Sequence, residues 1–241
     1  MTYCVGLLLN EGMVLLSDTR TNAGLDNIAT YRKMFLFEDP GERIIAILTA
    51  GSLSVTQTTI ARIREAIDDN EATSESSIML APTMLKVAEI VGNTLSTVRN
   101  DIDSKMEASK VSTAASMIVA GQRRGGAMRM FLVYPEGNFI ESTEDTPFLQ
   151  IGEHKYGKPI LDRVVRMDMS LEDAQKAMLL SMDSTLRSNL SVGMPLDLAV
   201  IRRDDCRVSE RRRIEKNDPD FARMSQMWSE ALRDGFTKIT L

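Results

Sequence analysis

The sequence predicts an α+β fold in which two antiparallel sheets pack face to face and pairs of helices cover their outer surfaces. Strand and helix patterns come in separate blocks, in the order strands, two helices, strands, two helices, strands. No helix alternates singly with a strand, which argues against a doubly wound parallel sheet. Each long helix pattern has one apolar face. Two sheets placed between helix pairs give every apolar face a partner.

The first fifty residues are predicted to be strands and tight turns. Apolar residues run over Tyr3 to Leu9 and over Met13 to Ser17, separated by a turn sequence, which predicts an antiparallel hairpin. The Gly-, Asn- and Thr-rich segment Thr21 to Thr30 is predicted to be a loop. Strands are predicted over Met34 to Glu38 and over Arg43 to Thr49. The nearly continuous apolar run of the second is typical of a buried strand.

Helical periodicity begins after Gly51. Apolar residues recur on one face from Val55 to Ile67, and again at spacings of three and four from Met84 to Ile102. A polar segment, Asn70 to Ser77, separates the two patterns. We therefore expect two successive amphipathic helices to cover one face of the sheet that precedes them.

The second half repeats this order. Strands are predicted over Ser116 to Gln122, Met128 to Tyr134 and Phe139 to Glu141. A further helix pair follows, and its second member begins at Ser170 with Asp173 three residues later, as in a capping box.

The last segment of the chain is predicted to add a hairpin and a helix. The hairpin strands are Leu198 to Arg202 and Arg207 to Arg211. The helix has Asp218 as its N-cap, followed by a proline at the first helical position, and Gly235 near its end. The final residues, Phe236 to Leu241, are predicted to form a short terminal strand.

The composition is that of an ordinary globular protein, with 241 residues, 43% of them hydrophobic and 26% charged. No repeat or linker interrupts the chain, so residues 1–241 are predicted to form a single domain. The net charge of −5 gives no reason to expect nucleic acid or an acidic membrane as a partner. No apolar run reaches the roughly 18 residues that span a bilayer, and no signal peptide is predicted. Two cysteines, Cys4 and Cys206, fit a reducing compartment, so a cytoplasmic location is predicted.

The sequence predicts neither a metal nor a bound cofactor. The single histidine, His154, cannot supply a histidine cluster and is predicted to lie on an exposed loop. No glycine-rich phosphate-binding loop is visible. Arginines are frequent from Arg202 to Arg213, but aromatic residues are few there. This stretch is predicted to be a solvated face or a contact between copies, rather than a nucleic-acid site.

A candidate catalytic residue stands near the start of the chain. Thr2 directly follows a methionine, which is normally removed before a small residue. Its removal would leave one residue with both a hydroxyl and a free α-amine. The hydroxyl is a weak nucleophile and needs a base, and an α-amine, with a pKa near ~8, can be that base at neutral pH. The alternative is that Thr2 is simply the first residue before a strand.

Three further residues lie at the ends of predicted strands in the same region. Asp18 closes the first hairpin, Lys33 stands directly before the next strand, and Gly51 follows the buried one. In order, the motifs are Thr-x-x-Val-Gly, Ser-Asp-Thr-Arg, Arg-Lys-Met and Thr-Ala-Gly-Ser. Taken singly, Asp18 and Lys33 also fit a structural ion pair, and Gly51 also fits a break between a strand and a helix.

In these motifs the chain resembles the β-subunits of proteasomes, which are N-terminal-nucleophile hydrolases. Thr-Tyr-Cys-Val-Gly-Leu-Leu-Leu and Asp-Thr-Arg-Thr-Asn-Ala-Gly-Leu-Asp-Asn-Ile-Ala-Thr are most similar to Anbu, the bacterial ancestral β-subunit branch. The resemblance extends in topology over nearly the whole chain, and its motifs are concentrated in residues 2–51. It implies a four-layer αββα sandwich and threonine-type cleavage of amide bonds.

Carried over by position, the resemblance implies a role for each residue. Thr2 matches the nucleophile, Asp18 the acidic residue and Lys33 the essential lysine. Gly51 matches the glycine whose N–H stabilises the oxyanion, and Ser191 matches a supporting serine. An ammonium at Lys33 would favour the neutral, proton-accepting form of the α-amine. Asp18 would keep that ammonium charged and oriented.

Two positions depart from the proteasome pattern. Ser188 occupies the place of an aspartate in Arg-Ser-Asn-Leu-Ser-Val-Gly, and Glu153 occupies the place of a serine that follows a glycine. The hydrogen bonds around the terminal amine are therefore expected to differ. Glu153 is a candidate replacement for the lost carboxylate.

Three hypotheses about function follow. The first is a proteasome-type threonine peptidase that hydrolyses peptide bonds through an acyl-enzyme. The second keeps the same site but makes it an amidase or amide transferase acting on a small amide. The third is a scaffold that assembles from copies of the chain into a ring or spiral, with weak or vestigial activity.

Overall fold

A computed structural model describes residues 1–22, 28–106 and 112–240 of the chain. In chain order the strands are β1 (Tyr3–Leu9), β2 (Gly12–Asp18), β3 (Arg20–Asn22), β4 (Ile28–Thr30), β5 (Met34–Asp39), β6 (Arg43–Gly51), β7 (Ala115–Arg123), β8 (Arg129–Val133), β9 (Phe139–Glu141), β10 (Phe148–Gly152), β11 (Leu196–Arg202) and β12 (Glu210–Ile214). The helices are α1 (Leu53–Asp68), α2 (Met84–Met106), α3 (Lys158–Val164), α4 (Leu171–Ser188) and α5 (Pro219–Lys238).

The strands form two five-stranded sheets and one small ribbon. The first sheet has the order β10-β1-β2-β11-β12, the second has the order β5-β6-β7-β8-β9, and β3 pairs with β4. Every pairing between neighbouring strands is antiparallel. The predicted first hairpin is therefore confirmed, with Cys4 opposite Ser17.

The two sheets and the helices form four layers. Leu15 of the first sheet and Leu48 and Met130 of the second belong to one apolar cluster between the sheets. A second cluster joins the outer face of the second sheet to α1 and α2, and a third joins the outer face of the first sheet to α3 and α4. The predicted α+β fold, a four-layer αββα sandwich of antiparallel sheets, is confirmed.

The predicted helix start at Ser170 is also confirmed. The Asp173 backbone N–H donates to Ser170 Oγ over 3.1 Å, which satisfies one of the N–H groups that the first turn of α4 leaves without a helical partner. No helix in the described part of the chain is both long and apolar enough to cross a membrane.

Several predicted boundaries were wrong. The loop predicted over Thr21 to Thr30 contains part of β3 and all of β4, while residues 23–27 of that loop lie outside the described residues. The segment Phe148–Gly152 was not predicted as a strand, yet it forms β10 at the edge of the first sheet. The second strand of the last hairpin begins at Glu210, three residues later than predicted.

The predicted terminal strand from Phe236 was wrong as well, since α5 continues to Lys238. Gly235 does not end the helix, because an interior glycine costs only about 1 kcal/mol relative to alanine. Across it, Lys238 Nζ donates to Asp234 Oδ2 over 2.6 Å, an i,i+4 pair that supports the last turn. The last predicted strand residue, Leu241, lies outside the described residues.

Tyr3 joins the first strand to the helical layer beneath it. Its side chain is fully buried, its hydroxyl shares a 2.6 Å hydrogen bond with Ser181 Oγ, and Gln150 Nε2 donates to it over 2.6 Å. Burial raises the pKa of Tyr3 to about 12. Ser181 lies on α4 and Gln150 on β10, so one phenol holds three elements together directly beside Thr2.

The Tyr3 phenol makes the free energy of unfolding decrease at alkaline pH. Because its pKa is higher in the folded protein than the unfolded value of about 10, its contribution is complete below pH ~10 and is lost as the pH rises toward 12. We expect the urea midpoint to fall over this range. Tyr3→Phe should flatten that fall and should cost roughly 1–3 kcal/mol at neutral pH, because Ser181 and Gln150 lose a partner. Tyr31→Phe, at an exposed tyrosine, is the control. If the urea midpoint fell equally steeply with pH in both variants, the prediction would be contradicted.

Candidate active site

Asp18 lies at the end of β2 and is the acceptor around which the candidate site is built. Its Oδ1 accepts hydrogen bonds from Lys33 Nζ (2.8 Å) and from the Tyr3 backbone N–H (3.1 Å). Its Oδ2 accepts one from the Gly193 backbone N–H (3.2 Å). Three donors from three segments of the chain therefore converge on one carboxylate.

This carboxylate and its ammonium partner are both inside the protein. Asp18 is fully buried and Lys33 is 4% exposed. Burial raises the pKa of the Asp18 carboxyl above its ordinary value, while the Lys33 ammonium and the two backbone N–H donors oppose that rise. The three donors match an ionised carboxylate, which only accepts hydrogen bonds.

Lys33 connects the ion pair to the start of the chain. Besides Asp18, its Nζ donates to the Arg20 carbonyl oxygen (2.6 Å) and to the Met1 carbonyl oxygen (3.4 Å). The Met1 carbonyl belongs to the peptide bond that joins Met1 to Thr2. Amide dimensions therefore place the ammonium no more than about 6 Å from the Thr2 nitrogen.

Thr2 is held at the entrance of β1 and is 8% exposed. Its carbonyl oxygen accepts a hydrogen bond from the Glu153 backbone N–H over 2.7 Å, just beyond the end of β10. The preceding residue, Gly152, has a φ of +81°, and a Cβ at that position would lie 1.9 Å from the Thr2 carbonyl oxygen. Only glycine therefore allows β10 to approach Thr2 this closely.

Gly51 is the last residue of β6, and the neighbouring hydrogen bonds fix the direction of its N–H. The Ser52 N–H donates to the Ala114 carbonyl on the β7 side (2.9 Å), and the Thr49 N–H donates to the Lys33 carbonyl on the β5 side (2.9 Å). Backbone groups alternate between the two sides along a strand. The Gly51 N–H therefore points to the β5 side, beyond the residue at which β5 begins.

A cleft of about 460 Å³ opens beside these residues, and Thr2, Lys33 and Gly51 all line it. The wall also contains Phe35 and several hydroxyl-bearing residues, namely Thr21, Thr49, Ser52, Thr56 and Ser112. The structure thus brings a hydroxyl, an ammonium and a backbone N–H donor to one cleft at one end of the sandwich. Nucleophilic attack on a carbonyl needs these three kinds of group.

Ser191 lies near this site but does not join its hydrogen bonds. It stands two residues before Gly193, and its backbone N–H donates to Asn189 Oδ1 over 2.9 Å. Within residues 1–22, 28–106 and 112–240, no hydrogen bond links its side chain to Thr2 or Asp18. Ser188 is exposed at the end of α4.

Comparison with known proteins agrees with this fold. A family model described as a proteasome subunit matches residues 2–201. The whole chain aligns with Anbu from Yersinia bercovieri at 40% identity, covering 99% of that chain with a TM-score of 0.92. The chain belongs to the Anbu branch of the proteasome family. Its fold is accordingly that of the N-terminal-nucleophile hydrolases.

Two further Anbu structures match over the full length of the chain. The Anbu (Gly-1) mutant from Hyphomicrobium sp. strain MC1 is 48% identical, with a TM-score of 0.93 and 99% of that chain covered. The helical assembly of the Anbu complex from Pseudomonas aeruginosa is 43% identical, with a TM-score of 0.92 and 98% of that chain covered. None of the curated proteins compared with the sequence matches it.

In this Anbu chain, sequence reasoning missed the backbone groups that hold the site. Glu153 contacts Thr2 through its N–H, whereas the sequence drew attention to its carboxylate. Gly193 donates to Asp18, and the guanidinium of Arg20 reaches the Leu190 carbonyl (2.8 Å) beside it. Two residues in the sequence could have indicated these contacts: Gly152, directly before Glu153, and Arg20, two residues after Asp18.

Cys4 is the other nucleophilic side chain close to Thr2 in sequence, and it is fully buried. Its Sγ donates to the Thr49 carbonyl over 3.6 Å. Burial raises the pKa of this thiol above its ordinary value, and burial also raises the pKa of the Cys206 thiol. Both thiols are therefore held in the unreactive, protonated form.

We expect neither thiol to react with iodoacetamide in the folded Anbu protein at pH 8. The rate should be roughly a tenth or less of that in the unfolded chain, because the thiolate is the reacting form. Intact mass measured with and without urea tests this, and unfolding should release modification at Cys4 and Cys206. An adduct on Cys4 in the folded protein would contradict the prediction.

Proposed function

We propose that this Anbu protein is a threonine-type N-terminal-nucleophile hydrolase that cleaves peptide bonds. Removal of Met1 frees the α-amine of Thr2. The amine takes the hydroxyl proton as Oγ attacks the substrate carbonyl, and it passes that proton to the departing amine. Water then hydrolyses the ester on Thr2, with the α-amine again serving as the base.

The observation that carries this proposal is the position of the Lys33 ammonium. It is fixed by the buried Asp18 and lies 3.4 Å from the carbonyl oxygen of the peptide bond that removal of Met1 would break. A cation at this place disfavours the charged form of a nearby amine. It therefore supports the α-amine of Thr2 as a base at neutral pH.

The Gly51 N–H is the proposed oxyanion donor. Its direction follows from the alternation along β6, and both Gly51 and Thr2 line the cleft. A single donor of this kind contributes roughly 3 kcal/mol in comparable sites. We propose no catalytic contact for Ser191, because its described hydrogen bond involves only its backbone N–H.

The N-terminal residue of the purified protein gives the first test. We expect intact mass to show a chain that begins with Thr2, and an uncharged peptide electrophile directed at hydroxyl groups to add once, to that residue. Thr2→Ala should show no adduct, while Thr19→Ala, which changes a buried hydroxyl outside the cleft, should keep the reaction. Retention of Met1, or a trimmed protein that never reacts at Thr2, would contradict the proposal.

We further propose that residues 1–241 act as one domain that assembles with copies of itself in the cytoplasm. The helical assembly described for the Pseudomonas aeruginosa relative supports self-association. In this chain, α5 has no buried residue and exposes Met227, Leu232 and Phe236, which supply apolar surface for such contacts. Sedimentation should show particles larger than a monomer. If the Thr2→Ala particle retained every cellular effect, the scaffold hypothesis would replace the peptidase hypothesis.

A further inference from the structure

Among the described residues, the charged side chains that line the cleft beside Thr2 are all positive. Its charged lining residues are Arg32 and Lys33, and no described acidic residue lines it. The Lys33 ammonium is already paired with the buried Asp18 at 2.8 Å. Arg32 is exposed, and no carboxylate within residues 1–22, 28–106 and 112–240 lies within 4 Å of its guanidinium. Among the described residues that line the cleft, Arg32 is therefore the cation without a carboxylate partner in this part of the chain.

A second depression continues the cleft along α1. It has a volume of about 310 Å³ and shares Arg32, Phe35 and Gln57 with the first. Its additional charged residue is Arg64, whose guanidinium carbon lies 5.5 Å from the centre of the Phe35 ring. Stacking on that ring holds a second positive charge beside the same groove.

The start of α1 adds to this positive potential. Leu53 and Thr56 of its first turns line the cleft, and the first turn contains no acidic residue. The N-cap residue, Ser52, makes no side-chain capping hydrogen bond. A helix N-terminus attracts negative charge through its free N–H groups and its dipole. Two arginines and a helix end thus favour the same kind of ligand.

We propose that the substrates of this Anbu protein carry a carboxylate side chain, Glu or Asp, on the residue that supplies the attacked carbonyl. Arg32 is the specificity-determining residue that receives this carboxylate, and Arg64 reinforces the attraction from the far side of Phe35. Guanidinium and carboxylate match each other in geometry and charge. The inference rests on the proposed function, because it concerns substrate at the Thr2 cleft.

Two peptide electrophiles that differ only in Glu or Gln at the residue beside the reactive group provide the test. The rate of modification of Thr2, followed by intact mass, should be about tenfold higher for the Glu compound in the unaltered protein. Arg32→Gln should reduce this ratio to about one, and Arg64→Gln should reduce it part of the way. Arg62→Gln is the matched control. Arg62 lies on α1, as Arg64 does, but it pairs with Asp101 outside the groove.

Charge reversal gives an independent arm, because Arg32 is exposed and its replacement should leave the fold intact. Arg32→Glu should favour a Lys compound over its Gln counterpart, with unchanged thermal unfolding as the control for folding. Equal rates for Glu and Gln compounds in the unaltered protein would overturn the substrate inference while leaving the proposed function in place. If neither compound modified Thr2, the proposed function would fail and the inference would fall with it.

Discussion

Replacing Lys33 with methionine is expected to lower the free energy of unfolding by about 3–5 kcal/mol and to abolish covalent modification of Thr2. Lys33 Nζ lies 2.8 Å from Asp18 Oδ1, and both side chains are buried. Without the ammonium, Asp18 is a buried charge that keeps only the backbone N–H donors of Tyr3 and Gly193. Losing one partner of a buried pair costs far more than losing one partner of an exposed pair.

A second substitution separates the structural part of this effect from the chemical part. Asp18→Asn combined with Lys33→Met leaves no buried charge, but the Asn oxygen can accept from only one of the Tyr3 and Gly193 N–H groups. We therefore expect a partial recovery of about 1–2 kcal/mol relative to Lys33→Met alone. Modification of Thr2 should remain absent, because the cation beside its nitrogen is still missing. Lys158→Met, which removes an exposed pair with Asp162, should change neither quantity appreciably.

Urea unfolding followed by circular dichroism measures the stability of each variant, and intact mass after incubation with a peptide electrophile measures Thr2 reactivity. A double variant that regained both would show that the Asp18–Lys33 pair is purely structural. If Lys33→Met were modified at Thr2 as fast as the unaltered protein, this too would show that the pair is purely structural. Recovery of stability without recovery of reactivity is the result that separates the catalytic proposal from the simple ion pair.

The layered fold can be predicted from the sequence because its causes are local. Hydrophobic periodicity distinguishes the long helices α1, α2 and α4 from the strands, and a serine cap fixes the start of α4. The buried strand β6 is a nearly continuous apolar run. Once strands and helices come in separate blocks, few layered arrangements bury all of their apolar faces.

Short edge elements are harder to predict, because their partners are distant in sequence. β10 has five residues and pairs with β1. Gln150 therefore lies opposite Val5, although the two residues are far apart in the sequence. Its register, and not its composition, brings Gly152 opposite Tyr3 and Glu153 to the carbonyl of Thr2. Contacts of this kind depend on tertiary pairing, which periodicity does not encode.

In the candidate site, too, some residues can be predicted from the sequence and others cannot. Asp18, Lys33 and Gly51 are recognisable because each stands where a strand begins or ends, and the two sheets bring those ends together. Arg32 in the cleft and Arg64 in the adjoining depression carry no such signal: Arg32 is in a connecting segment, and Arg64 is on the exposed side of α1. Their importance becomes visible only when the charges along the cleft and the adjoining depression are considered together.

Changing Gly152 to alanine is expected to lower the free energy of unfolding by about 2–5 kcal/mol, from the positive φ and the overpacking together. It should also slow the modification of Thr2 by about 100-fold, since a shift of about 1 Å at a reacting group has that effect. The new Cβ would lie 1.9 Å from the Thr2 carbonyl oxygen, so either β10 or Thr2 must move. Movement of either one breaks the 2.7 Å hydrogen bond from the Glu153 N–H.

Gly41 supplies the matched control for this substitution. Its φ is +85°, close to the +81° of Gly152, but a Cβ there would meet no atom within 4 Å. Gly41→Ala therefore carries the backbone strain alone, about 1–2 kcal/mol, and should leave the reactivity of Thr2 unchanged. The difference between the two variants isolates the contact with Thr2. If both variants lost the same stability and both kept full reactivity, Gly152 would be only a turn glycine. A loss of Thr2 reactivity in Gly152→Ala alone would make β10 the element that positions the nucleophile.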